Sequence, residues 1–121
     1  MKQTLISLPN QIAHHRFKKV IFDVETDGLA GNTIHCIVTK VIGGETQLFP
    51  PDNLQAAIDI LTSADVLIGH NIIGFDIPVI KKHFDVTLTN HIEDTLVVSR
   101  LVNPVLTGGH SLDNWGYLLY P

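Results

Sequence analysis

The chain has 121 residues, 45% of them hydrophobic, and a formal net charge of −4. That suits one domain with a modest core; it is too apolar for disorder and lacks the basic balance of a non-specific nucleic-acid binder. No apolar run reaches membrane-spanning length, no signal-peptide pattern opens the chain, and the single cysteine, Cys36, fits a reducing cytoplasm as a small buried residue. Residues 1–17 read as a lead-in with a turn at Pro9-Asn10, ahead of a domain over 18–121. Residues 20–24 form a first apolar strand, broken by Thr26-Asp27-Gly28. A β-branched strand over 33–42 and a third over 45–49 flank the hairpin signal Gly43-Gly44. Asp52 or Asn53 caps a helix that runs to about residue 63, with Leu54, Ala57, Ile58 and Leu61 on one face. Residues 66–68 are an apolar run expected to be buried on both faces, as parallel strands are. A helix follows over 76–84, with Pro78 in its first turn. A short strand over 87–92, a helix over 95–101 and a last helix over 112–119 capped by Ser111 complete the order. The whole is an α/β domain: a β-meander of three strands, then parallel strands joined by helical crossovers, in a mixed sheet with helices on its faces.

Three acids close the first strand: Asp23, Glu25 and Asp27. Strand residues two apart share a face, so Asp23 and Glu25 project side by side. Like charges so placed raise each other's pKa unless a cation lies between them, and hard divalent ions take carboxylate oxygens. Asp27, beside Gly28, is read as a turn residue. A further acid, Asp76, follows the 66–68 strand at a helix start. The helix dipole favours a carboxylate there, and an N-cap belongs there too. In α/β sheets ligands gather beyond the carboxyl ends of adjacent strands, where the first strand and the 66–68 strand both end. The seven histidines make no zinc pattern.

The stretches FDVETDGL and GHNIIGFDIPVI, with TIHCIVTK between them and DTLVVSRLVNP and HSLDNWGYLL after, resemble the DEDD 3′–5′ exonucleases. The nearest likeness is to the proofreading domain of T7-like phage family A DNA polymerases. It runs from about residue 18 to the C-terminus. The resemblance implies a ribonuclease-H-like fold and hydrolysis of the terminal phosphodiester at the 3′ end of single-stranded DNA by two Mg²⁺ or Mn²⁺ ions. It implies that Asp23, Glu25 and Asp76 are the metal-binding carboxylates, that Thr26 and Leu29 contact the terminal nucleotide, and that Asn71 and Phe75 line the strand's path. The family's fourth carboxylate, on a late helix, has no counterpart. Asp94 reads as a helix cap, and the spacing of His110 and Asp113 mimics the missing pair only superficially. The chain is thus expected to stop before the last motif and to need a polymerase or downstream chain to supply it. The alternative is a non-catalytic nucleic-acid- or polymerase-binding remnant. The apolar end, WGYLLYP, suggests self-association through the last helix. The expected setting is a bacterial cytoplasm, with the gene host- or phage-borne.

Overall fold

β1, Lys19–Thr26, is the spine of a five-stranded sheet. Its alternation sends Val20, Phe22 and Val24 into the core and leaves Ile21, Asp23 and Glu25 on the opposite face. The computed structural model describes residues 17–121, so the lead-in expected over 1–17 lies, Phe17 apart, outside the described residues. β2, Ile34–Val41, pairs antiparallel to β1, with a register irregularity between Glu25 and Thr26, where the acids occur. β3, Thr46–Phe49, pairs antiparallel to β2 across the Gly43-Gly44 turn, which Gly43 enters at φ +86°. A 3₁₀ turn at Pro51–Asn53 leads into α1, Leu54–Ser63, which buries Ala57, Ile58 and Leu61. β4, Val66–Gly69, returns parallel to β1. A π-helical turn, Ile72–Asp76, runs into α2, Ile77–Phe84. β5, His91–Asp94, lies parallel to β4 at the edge, followed by α3, Thr95–Val102, and α4, Leu112–Leu119. The strand order is β3-β2-β1-β4-β5, the mixed sheet expected from the sequence.

The core joins β1 residues Val20, Phe22 and Val24 to Ile37, Phe49 and Leu67 of the neighbouring strands, to Ile58 and Leu61 of α1, and to Val79 and Ile80 of α2. Three details depart from the sequence expectation. Neither Asp52 nor Asn53 caps α1 with its side chain; instead the 3₁₀ turn precedes the helix, and Asn53 N–H donates to Pro50 O. Residues 87–90 are not strand. Leu88 drops into the core there, and Asn90 Nδ2 donates to the carbonyls of Leu61 and Ala64 at the end of α1, so β5 starts only at His91. Ile68 of β4 is half-exposed, so this parallel strand is not fully covered on both faces. No helix among the described residues is long and apolar enough to cross a membrane.

A tight joint lies where β4 leaves the sheet. A Cβ on Gly69 would lie 2.9 Å from Phe22 O and would overlap the Ile72 side chain. Gly69→Ala should therefore destabilise the fold by about 1–3 kcal/mol, the usual cost of overpacking. A lower midpoint in urea denaturation measures it; an unchanged midpoint would mean that the joint is loose.

Candidate active site at the end of the central strand

β1 outlasts its parallel neighbour. The β1–β4 register ends at Ile21↔Ile68, while β1 continues to Thr26. On the β4 side the backbone of Val24 has no strand to bond to. The chain leaving β4 turns through Asn71, at φ +60°, and the π-helical turn then swings Asp76 back. Asp76 Oδ2 accepts from Val24 N–H at 2.8 Å. A carboxylate thus stands where the next residue of a longer strand would have been. Asp76 makes no capping bond to α2, so the alternative reading of it as a helix cap does not hold. It is 3% exposed. Single π turns of this kind are frequent at functional sites because they redirect one or two side chains without ending the helix.

The three acids share one electrostatic neighbourhood. Partial burial, a hydrogen bond with Glu25 and the charges of Asp76 and Glu25 push the Asp23 carboxyl up to about 7, against a lowering from Val24 N–H. Burial pushes Asp76 up to about 6; the N–H groups of Val24 and Asp76 itself oppose this, and the charges of Asp94 and Glu25 add to it. The donor set is all oxygen, which suits a hard divalent cation. The side chains are not yet gathered around one point. Among the described residues no three His, Cys, Asp or Glu side chains stand as a ready metal cage. Asp23 and Glu25 lie side by side on the exposed face of β1, and Asp76 faces backbone.

The other expected contact residues divide. Leu29 is 96% exposed and lines a cleft of about 170 Å³ with Ala30, Gly74, Phe75, Pro78, Val79 and Lys82. Leu29 and Phe75 are thus brought together. Asn71 is exposed but does not line that cleft. Thr26 Oγ1 donates to Gly28 O at 2.7 Å, so its proton belongs to the loop. Asp27 Oδ1 accepts from Thr33 N–H, which with related loop bonds holds its carboxyl below the usual range, as a turn residue should. Cys36 is half-buried on β2, opposite Glu25.

Asp94 does more than cap α3. Besides Leu96 N–H it accepts from Asn71 N–H at 2.8 Å and Ile73 N–H at 3.0 Å, so it braces the turn that delivers Asp76. Burial pushes Asp94 up, but the N–H groups of Ile73, Asn71, Leu96 and Val97 outweigh it, and its pKa ends low. The sequence offered only the capping half of this role. His110 Nδ1 lies 2.6 Å from Ser99 Oγ, which also accepts from Trp115 Nε1 at 2.7 Å; this histidine ties α4 to α3. Asp113 lines a hollow with Gly116, Tyr117 and Tyr120, whereas Leu112, Trp115 and Leu119 of the same helix line a separate groove toward the sheet. His110 and Asp113 therefore do not complete the acidic set.

No family model matches the sequence, and no curated protein matches it either. Solved structures do. The apo form of a nuclease superposes with a TM-score of 0.68 and 23% identity, over 93% of this chain and 56% of that one. Brucella melitensis NrnC superposes with a TM-score of 0.67 and 19% identity, over 90% and 55%. The fold is ribonuclease-H-like. The chain spans little more than half the length of these two structures. They do not single out the T7-like phage polymerases.

The raised carboxyls fix a pH dependence. In the native state Asp23 and Asp76 hold protons up to about 7 and about 6, from a usual 3.8, so between these values the folded chain binds protons that the unfolded chain has released. Stability of the metal-free protein is therefore greatest at the acidic end of that window and is lost as pH rises through 6 to 7. Asp76→Asn keeps an acceptor for Val24 N–H without the charge, so melting temperatures measured from pH 5 to 8 in chelator should fall less steeply in this variant than in the wild type. Asp76→Ala leaves the buried N–H unpaired and should cost about 1–3 kcal/mol at pH 5, a cost that shrinks toward pH 8 as the wild-type carboxyl loses its proton.

Proposed function

We propose that the chain is a metal-dependent 3′–5′ exonuclease domain of proofreading type, hydrolysing the terminal phosphodiester of single-stranded DNA to release nucleoside 5′-monophosphates. The observation that carries this reading is the buried Val24–Asp76 bond, which brings the acid of a distant segment to the strand that bears Asp23 and Glu25. The ribonuclease-H-like fold and its nuclease neighbours agree with it, and the motif order supports a kinship with T7-like phage polymerases. Asp23, Glu25 and Asp76 would hold Mg²⁺ or Mn²⁺, two ions in the full reaction. When bound, the ions supply positive charge against the phosphate and acidify a water molecule. The chain's own part is placement. Asp23 and Glu25 present oxygens on the open face of β1, and the main chain of β1 holds Asp76 beside them. Leu29 and Phe75 offer apolar surface to the last base, a contact that reads no particular sequence.

The partner in this proposal is a polymerase or downstream chain that brings the fourth acid. Two apolar hollows of about 320 and 300 Å³, both lined by His70, Thr95 and Leu112, form a trough from Ile21 and Asp23 to Trp115 and Leu119, suited to a helix from such a segment. The outer face of α4, with Tyr117 and Tyr120 exposed, is the surface for self-association. The setting is the cytoplasm of a bacterium, infected or not.

A second reading has one observation in its favour. Because the cleft lined by Leu29, Phe75 and Lys82 can receive a base and its phosphate without a metal, the domain can act as a non-catalytic single-strand- or polymerase-binding module. Mn²⁺ titration followed by thermal melting, with a labelled single-stranded oligonucleotide, separates the two. The nuclease reading expects a rise in melting temperature lost in Asp23→Ala, and stepwise shortening that falls at least about a hundredfold in Glu25→Gln. Retention of the oligonucleotide without shortening, in saturating Mn²⁺, favours the module. No Mn²⁺ stabilisation and no retention would sink both.

A further inference from the structure

The loop between β1 and β2 is fastened to α2 from a distance of fifty residues in the chain. Within the loop, Asp27 N–H donates to Thr33 O and Gly31 N–H donates to Gly28 O, so it is a closed turn with Leu29 at its tip. Gly31, at φ +63°, presses against α2, where an added Cβ would lie 2.7 Å from Val79 Cγ2. Three bonds then fasten the loop. Lys82 Nζ donates to Ala30 O at 3.2 Å and to Asn32 Oδ1 at 2.9 Å, and His83 Nε2 donates to Gly31 O at 2.6 Å. Both acceptors of Lys82 are neutral. Its neighbour Lys81 is paired with Asp85 at 2.8 Å, but among the described residues Lys82 has no acidic partner. An ammonium has three donors, and two are used. The third belongs to a cation on the rim of the 170 Å³ cleft that Leu29 and Phe75 also line.

A net charge of −4 and three clustered acids repel a phosphodiester strand. A strand that lays its last base between Leu29 and Phe75 needs a cation close to its backbone. We propose that Lys82 is that cation: it contacts a backbone phosphate of single-stranded nucleic acid seated in the Leu29–Phe75 cleft while clamping the loop that carries Leu29. His83 has no phosphate role and is a positioning residue for the same loop. The inference rests on the nuclease reading only in taking a single strand as the ligand. It needs neither metal nor cleavage, so the two can fail separately.

The test uses the full chain and a short fluorescein-labelled single-stranded DNA. Anisotropy titrations in EDTA over a range of salt concentrations are compared with cleavage in Mn²⁺. Lys82→Met should weaken binding about tenfold and lower the slope of log affinity against log salt by about one phosphate's worth. Lys82→Arg should restore both. Asn32→Ala removes one clamp bond and keeps the charge, so it should leave the salt slope unaltered. A Lys82→Met slope equal to that of the wild type overturns the proposal. So does an Asn32→Ala loss that matches Lys82→Met in affinity and slope, because Lys82 would then act only by holding the loop. Wild-type chain that binds no single strand at any salt concentration overturns it as well. Binding with the expected slopes but no cleavage keeps Lys82 in its role and removes the exonuclease.

Discussion

A single buried hydrogen bond, from Val24 N–H to Asp76 Oδ2, joins the two halves of the candidate site. It exists because β1 has eight residues and β4 only four. Where β4 stops, the backbone of β1 still presents a donor on that side, and a buried donor left unpaired is costly. A longer β4 would satisfy it with a carbonyl and leave no room for an acid. A shorter β1 would leave Asp76 buried with nothing to bond. The mismatch in strand length is thus the local cause of a carboxylate held inside the fold. The Asn71 turn and the π-helical turn are what allow the chain to reach back.

Asp76 and Asp94 show how backbone donors decide the state of a buried acid. Both are nearly inaccessible. Asp94 faces four N–H groups and stays low despite its burial. Asp76 is opposed only by the N–H groups of Val24 and of its own residue, feels two neighbouring carboxyls, and is pushed up to about 6. The well-served acid is the brace: its ionised form is held in place and fixes the turn. The under-served acid and its partner Asp23 keep unmet demand for positive charge. The same local fold therefore separates a structural carboxylate from a responsive one, and the separation lies in counts of N–H donors that side-chain identity does not reveal.

Much of this was legible before the structure. The alternation in β1, the Gly43-Gly44 hairpin and the crossover order fixed the sheet, because periodicity and turn chemistry are local signals. The acids Asp23 and Glu25 share a face as spacing requires. What spacing could not supply was direction across the fold. Asp76 at a helix start also read as a cap; the structure gives it no capping bond to α2, and the unequal strand lengths explain why it bonds Val24 instead. The strand expected over 87–92 shifted to His91–Asp94 because Asn90 is drawn to the carbonyls that end α1, a contact across 29 residues. Lys82 and His83 carried no signal at all: two basic residues in the last turn of a short helix suit its dipole, which is the ordinary reason to find them there. Their loop contacts span fifty residues and more.

The two faces of the sheet are finished differently, and the difference bears on the site. One face carries the continuous core, with α1 and α2 packed on Val20, Phe22, Val24 and Leu67. The other face carries Ile21, Asp23 and Glu25, and there the trough lined by Ile68, His70, Thr95 and Leu112 remains unfilled by side chains of residues 17–121. Parallel strands normally have both faces covered. On this open face Asp23 is only partly desolvated and Glu25 is exposed, so solvent still screens the carboxyl pair. Covering the face would lower the local dielectric and strengthen both the repulsion among the acids and their attraction for a cation. The apolar trough and the acidic strand end are therefore parts of one arrangement: whatever packs into the first tunes the second.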